Sequence, residues 1–259
     1  MYNWNGRVVA ITGASSGIGA ITAERIAERG GTVLLMARSK RKLDELAVRL
    51  KGAAFAYELD VCSDDSVQAV FKKACERHGR IDVLINNAGF GKFTTFEETP
   101  LADFDKMMDV NYMGIVRCTQ AVLPAMRKAG QGHIVNIASL AGKIGTAKST
   151  GYAATKHAVL GLTNSLRQEL HGSGITVTAI NPGPVDTPFF DLADPGGGYV
   201  ANVKKLMLKP DRVALAIVRA VERKQAEVDL PRIAGFGAKL FHLFPRTFER
   251  VSRRFLNLK

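Results

Sequence analysis

Three residues of this 259-residue chain have types and a spacing that could do proton chemistry: Ser139, Tyr152 and Lys156. Ser139 ends an apolar, β-rich run, and Tyr152 and Lys156 fall in the helical pattern that follows. Four residues apart on a helix, the phenol and the ammonium sit one turn above each other on one face. A lysine charge beside a phenol favours the phenolate and lowers its pKa. A tyrosine that exchanges protons near neutral pH needs such help, because its unperturbed value is about 10. By itself a Tyr-x-x-x-Lys pair is common on solvated helix faces, so its meaning depends on what surrounds it.

What surrounds it begins at the N-terminus. The apolar run Arg7 to Thr12 feeds into Thr-Gly-Ala-Ser-Ser-Gly-Ile-Gly, residues 12–19, and a helical pattern of Ile18, Ile21 and Ile26 follows. Strand, glycine turn and helix together make the context in which a dinucleotide is bound. Gly13 permits the tight turn, Gly17 lets the backbone approach a pyrophosphate, and Gly19 lets the helix pack closely on the sheet. The phosphates then meet the free N–H groups and the positive end of the helix. The spacing is Gly-x-x-x-Gly-x-Gly rather than Gly-x-Gly-x-x-Gly, which admits a different turn.

With that spacing, and with further motifs in order behind it, the chain resembles the short-chain dehydrogenase/reductase family over residues 5 to about 230. Asp60-Val61, Asn86-Asn87-Ala88-Gly89 and Asn181-Pro182-Gly183-Pro184 with Thr187 match the family's adenine-side, post-strand and nicotinamide-side elements. Asn111, Ser139, Tyr152 and Lys156 fall at the positions of its catalytic tetrad. The resemblance implies that Ser139 hydrogen-bonds the substrate oxygen and that Tyr152 exchanges its proton. It also implies that Lys156 holds the nicotinamide ribose and that Asn111 holds a water linking the lysine to solvent. The cofactor is implied to lie against Gly13, Ser15, Ser16, Gly17, Ile18 and Gly19, then Asp60 and Val61, Asn87 to Gly89, Tyr152 and Lys156, and Pro182, Gly183 and Thr187.

The elements that must position these residues alternate along the chain. Apolar runs at 7–12, 32–37, 53–59, 81–86, 132–138, 175–180 and 226–230 predict strands. Amphipathic stretches near 17–29, 40–50, 64–78, 101–129, 151–171 and 211–224 predict helices. Such alternation predicts an α/β fold: one Rossmann-like doubly wound domain, with a mostly parallel seven-stranded sheet covered by helices on both faces. Residues 1–231 form the catalytic domain in this reading, and 232–259 a basic amphipathic extension of it. Pro182 to about Tyr199 reads as one long irregular stretch, and the family resemblance implies that it covers the substrate as a lid with glycine hinges. Asn111 falls inside the stretch 101–129, where asparagine is a poor helix former.

The end of the second strand distinguishes the two nicotinamide cofactors. Enzymes using NAD generally place an acid about 20 residues past the glycine turn, whereas an arginine suits the 2′-phosphate of NADP. Here the strand ends in Ala37-Arg38-Ser39, followed by Lys40, Arg41 and Lys42, with no acid before Asp44. Arg38 can bind a phosphate through two parallel hydrogen bonds, which points to NADP. Lys40 and Lys42 read as a solvated helix start. Phe90, Phe93, Leu140, Phe189 and Phe190 predict an apolar pocket, hence a ketone, aldehyde, steroid-like or acyl substrate.

Composition sets the remaining expectations. Hydrophobic content of 46% and charged content of 23% suit a soluble globular protein. Cys62, Cys75 and Cys118 show no metal-ligand or disulfide spacing and read as reduced, buried thiols, which with the absence of a leader or spanning segment predicts a cytoplasmic protein without a metal site. Net charge is +12, and the last 28 residues hold seven Lys or Arg against Glu249 alone. There Phe236, Leu240, Phe241, Phe244, Phe248, Val251, Phe255 and Leu256 recur at helical spacing, predicting two short helices broken at Pro245. This stripe either packs on the body or a partner subunit, or lies on an anionic membrane surface. Packing is the expectation here, because Pro231 leaves the chain beside the substrate end of the sheet. Nucleic acid is not expected, since no nucleic-acid-binding motif accompanies the charge. Apolar residues in the long helices, among them Met107, Val110, Ile115, Val122, Val159, Leu162 and Leu166, exceed what one sheet face needs, and the resemblance implies that the corresponding helices pair between subunits, so a homodimer or homotetramer is expected. The second functional reading is a nicotinamide-binding, non-catalytic sensor or interaction protein whose basic tail is its working surface.

Overall fold

The computed structural model describes residues 2–50 and 53–246. Seven strands form one sheet: β1 (Val8–Thr12), β2 (Thr32–Ala37), β3 (Ala54–Glu58), β4 (Val83–Asn86), β5 (Gly132–Ile137), β6 (Ile175–Pro182) and β7 (Glu227–Leu230). Their order is β3-β2-β1-β4-β5-β6-β7, and every pairing is parallel, where the sequence had predicted a mostly parallel sheet. The helices between them are α1 (Gly17–Ala27), α2 (Lys40–Arg49), α3 (Asp64–His78), α4 (Leu101–Met108), α5 (Gly114–Ala129), α6 (Thr150–Glu169), α7 (Phe189–Ala193), α8 (Gly198–Val203), α9 (Pro210–Glu222) and α10 (Arg232–Leu243).

A parallel strand covered on both faces must be apolar at nearly every position. β1, Val-Val-Ala-Ile-Thr, is buried throughout. Its alternate side chains divide between two cores. Val9 and Ile11 pack with Ile26 of α1, Leu43 of α2 and Ile217 of α9. Val8 and Ala10 pack with Phe71 of α3, Val122 of α5 and Leu166 of α6. The sheet therefore has helices on both faces. Its strand order reverses between β1 and β4, and the carboxyl ends of these two strands open the crevice where such folds bind ligands.

Three expectations are corrected here. The stretch 101–129 is not one α-helix: residues Asp109–Met113 form a π-helical turn between α4 and α5. Residues 182–199 are only partly irregular: β6 extends to Pro182, and the short helices α7 and α8 interrupt the remainder, leaving 183–188 and 194–197 outside any helix or named strand. The apolar residues cited for assembly are largely consumed inside the subunit: Met107, Ile115, Val122, Val159 and Leu166 are all buried. Val122 and Leu166 pack in the core with Ala10 and Leu84 of the sheet, and Ile115 packs with Ala138 and Val159. Cys118 is buried, whereas Cys62 and Cys75 are only partly so, and all three are free thiols.

The C-terminal stretch departs from expectation most. α10 packs on the sheet edge through its small residues. A side chain added at Gly235 would meet the Asp229 carboxylate of β7 at 2.2 Å, so only glycine lets the helix lie this close. Asp229 is itself held by Lys143 Nζ at 2.6 Å and Asn181 Nδ2 at 2.8 Å. Gly235 and Ala238 are buried, while Ile233, Phe236, Leu240, Leu243 and Phe244 stay exposed. The apolar stripe thus does not pack on the body. The second predicted helix, with Phe248, Val251, Phe255 and Leu256, lies outside the described residues.

Candidate active site

A cleft of about 1010 Å³ runs along the carboxyl ends of the strands. At its centre is the glycine turn after β1. Gly13 has φ +65°, and a side chain there would lie 2.8 Å from the Ala88 Cα. One added at Gly19 would lie 2.6 Å from both Asn87 Nδ2 and the Gly13 carbonyl. These contacts exist because the turn is tied to the end of β4. The Thr12 hydroxyl accepts from the N–H groups of Asn87 and Ala88, both at 3.0 Å, and Asn87 Nδ2 donates to the Thr12 carbonyl at 3.0 Å. Ser16 precedes α1 without capping it by its side chain, and the first turn of α1 carries no acid. Free N–H groups and the helix dipole are left facing the cleft, which suits a pyrophosphate.

Arg38, Ser39 and Lys42 line the adenine side, facing Asp60, Val61 and Cys62. Among the described residues Lys40 pairs with Asp44 and Arg41 with Glu45, while Arg38 and Lys42 have no ion-pair partner. Two cations on the rim without an ion-pair partner suit a further phosphate. Lys42 was assigned to a solvated helix start. It is exposed in the first turn of α2, as that reading has it, and also lines the cleft.

At the other end, Ser139, Tyr152 and Lys156 converge. Ser139 follows β5, donating to the Pro182 carbonyl at 3.3 Å and accepting from the Ala141 N–H at 3.1 Å. Tyr152 and Lys156 occupy successive turns of α6, with Lys156 Nζ 5.6 Å from the Tyr152 ring centre. The buried ammonium donates to the Ile137 carbonyl at 2.8 Å. Burial pushes Lys156 down to about 8. It also pushes the Tyr152 phenol up to about 12, against the opposing hydrogen bond from Ser139. The lowering of the tyrosine by its lysine, expected from spacing, is thus overturned by desolvation. Tyr152 is a protonated phenol at neutral pH.

Asn111 stands behind this trio rather than in the cleft wall. It lies in the π-helical turn, fully buried. Its carboxamide accepts from the Phe90 N–H at 2.9 Å and donates to the Phe90 carbonyl at 2.8 Å and to Thr155 Oγ at 3.0 Å. It therefore ties the segment after β4 to α6. Gly17 and Gly19 stand at the start of α1, Gly17 with φ +57° and Gly19 packed against Asn87 and the Gly13 carbonyl. The other anticipated residues, Gly13, Ser15, Ser16, Ile18, Asp60, Val61, Asn87, Ala88, Gly89, Pro182, Gly183 and Thr187, all line the cleft.

Beyond Tyr152 the lining becomes aromatic. Phe93 meets Tyr152 edge-on at 5.8 Å, and Phe189 lies 5.6 Å from the same ring. Phe190 and Tyr199, from α7 and α8, close over Phe93. Gly91 makes this possible, since a side chain there would lie 2.9 Å from Phe189 and 3.0 Å from Tyr152. Tyr199 and Gly91 were not anticipated. Tyr199 sits among glycines that read as a hinge, and only the folding of α8 brings it to the site.

The sequence matches the short chain dehydrogenase family model over residues 7–195. It is 40% identical over 220 residues to the 3-oxoacyl-[acyl-carrier-protein] reductase of Thermotoga maritima, covering 82% of this chain and 89% of that protein. Among solved structures, a short-chain dehydrogenase/reductase of Burkholderia phymatum in complex with NAD superposes with a TM-score of 0.87. It shares 26% identity, over 95% of this chain and 96% of that one. The closed form of a serine dehydrogenase complexed with NADP+ superposes with a TM-score of 0.80 at 30% identity, over 85% and 92% of the two chains.

Proposed function

The chain belongs to the short-chain dehydrogenase/reductase family of oxidoreductases, and on that premise we propose that it is an NADP(H)-dependent enzyme acting on the carbonyl or alcohol carbon of an apolar substrate. One observation carries the reading: Ser139, Tyr152 and Lys156 meet between an aromatic chamber and a glycine turn whose far rim holds the unpaired Arg38 and Lys42. When bound, the nicotinamide supplies or accepts the hydride. The residues do the rest. Ser139 Oγ hydrogen-bonds the substrate oxygen as charge develops on it. Tyr152 Oη donates the proton in the reductive direction, and the Lys156 charge stabilises the phenolate left behind. Asn111 positions α6 against the segment after β4. The chamber of Phe93, Phe189, Phe190 and Tyr199 favours an apolar ketone, aldehyde, steroid-like or acyl group, and a 3-oxoacyl chain is one member of that class.

Two expected results follow. The first concerns pH. Tyr152, at about 12, remains a proton donor throughout the neutral range, so carbonyl reduction should stay level from pH 6 to near 8. It should fall as Lys156, at about 8, loses its charge. Alcohol oxidation needs the phenolate and should rise toward alkaline pH. Profiles of kcat/KM in both directions check this, and a reductive profile that rises with pH would contradict the assigned donor.

The second concerns the cofactor. Arg38→Ala should weaken NADP(H) binding by about ten- to a hundredfold, since hydrogen bonds to charged groups contribute roughly 1.5–3 kcal/mol. Lys42→Ala should give a smaller loss in the same direction, and NAD binding should hardly change with either. Calorimetric titration of both cofactors is the measurement. Equal losses for the two would make these residues supports of the loop rather than readers of the phosphate.

Assembly as a homodimer or homotetramer is part of the same proposal and rests on the family resemblance. Sedimentation showing a stable, active monomer at micromolar concentration would remove it.

A further inference from the structure

We propose that the outer face of α10 is a docking surface for an anionic lipid bilayer, which holds the substrate end of the cleft at the membrane.

α10 divides its sides sharply. Ala234, Gly235 and Ala238 turn inward, with Ala234 and Ala238 forming part of the cleft wall. At 100° per residue, Ile233, Phe236, Leu240 and Leu243 fall within about 100° of arc on the outside. Ile233 is 80% exposed, Phe236 69% and Leu243 71%. Five large apolar side chains, counting Phe244, therefore face water although smaller residues on the same helix are buried. That is the reverse of what packing on the chain's own core produces.

The charge identifies the occupant. Arg232 and Lys239 lie together along one edge of the stripe, and α10 contains no acid. The sequence continuing from it, 247–259, adds Arg250, Arg253, Arg254 and Lys259 against Glu249. A two-fold contact with a second copy would bring two such basic stretches together, which like-charge repulsion opposes. An anionic bilayer takes the same features as attraction: bases reach the headgroups while phenylalanine and leucine enter the acyl boundary. No helix among the described residues is long and apolar enough to cross a membrane, so the contact is peripheral. Leu192 and Leu206, which also line the cleft, are exposed as well, with Lys204 and Lys205 next to Leu206 in sequence. Because α10 is itself a wall of the cleft, docking its outer face brings that wall within about one helix diameter, 10–12 Å, of the lipid. Delivery of a lipid-dissolved substrate then rests on the function proposed above, whereas the docking does not.

The test is co-sedimentation of the full chain with vesicles of phosphatidylcholine alone or mixed with phosphatidylglycerol. Wild type is expected to bind the mixed vesicles, to bind phosphatidylcholine at least tenfold more weakly, and to be released as salt rises. The double variants Phe236→Asp/Leu243→Asp and Arg232→Glu/Lys239→Glu should each bind the mixed vesicles at least tenfold more weakly. Their melting temperatures should be unchanged, because all four side chains point away from the body. No binding of wild type to the mixed vesicles would overturn the proposal. So would apolar-face variants that bind vesicles normally but sediment as a smaller species, since the stripe would then be a subunit contact. These readouts do not depend on turnover, so failure of docking is distinguishable from failure of the assigned reaction.

Discussion

Replacing Tyr152 with phenylalanine is expected to lower turnover by about 100- to 10,000-fold, the range lost with a positioned general acid. Cofactor affinity should stay close to wild type. Only the hydroxyl is removed, and the ring keeps its contacts with Phe93 and Phe189. The magnitude follows from the proposed roles: within the catalytic trio, Ser139 hydrogen-bonds the substrate oxygen and the Lys156 ammonium donates to the Ile137 carbonyl. The phenol is left as the proton donor facing the chamber. Steady-state kinetics beside a cofactor titration separates the two effects. A variant retaining more than about a tenth of kcat would assign the proton to another group.

The second large effect is at the glycine turn. Gly13→Val should lower stability by about 2–4 kcal/mol, roughly 5–15 °C in melting temperature, and should abolish measurable cofactor binding. The left-handed backbone alone costs a side-chain-bearing residue about 1–2 kcal/mol. The added Cβ would also strike the Ala88 backbone at 2.8 Å, an atom that cannot move without pulling β4 away from β1. Valine at this position with normal melting temperature and normal affinity would show that the turn tolerates displacement and does not form the phosphate seat. Circular dichroism and calorimetry read the two quantities independently.

Much of this was legible in the sequence because it is local. The buried run of β1, its glycine turn and the start of α1 are contiguous, and Tyr152 and Lys156 share a helix face by spacing alone. The departures arise where tertiary packing decides. The apolar pattern of 101–129 continues unbroken past Asn111, so the extra residue of the π-helical turn leaves no trace in it. α7 and α8 span five and six residues, too few to show a helical period, and they lie in a stretch rich in proline and glycine. Their order comes from Phe189, Phe190 and Tyr199 closing on Phe93, a contact between segments about a hundred residues apart. The upward shift of the Tyr152 phenol depends on enclosure, which spacing does not encode. In α10 the periodic phenylalanine and leucine residues look like a core face. Only the close approach of Gly235 to Asp229 reveals that the small residues pack and the large ones do not.

The measurement that bears most directly on the central claim follows the hydride itself. NADPH deuterated at both C4 positions is incubated with the protein and a panel of apolar ketones, aldehydes and 3-oxoacyl thioesters, and products are read by mass spectrometry alongside the loss of NADPH absorbance. The assignment predicts that at least one carbonyl compound becomes an alcohol carrying deuterium on its former carbonyl carbon, with label transfer slowed by about 100- to 10,000-fold when Tyr152→Phe replaces wild type. Tight NADPH binding with no label transferred to any member of the panel would contradict it, and would favour a protein that binds the nicotinamide without reacting it.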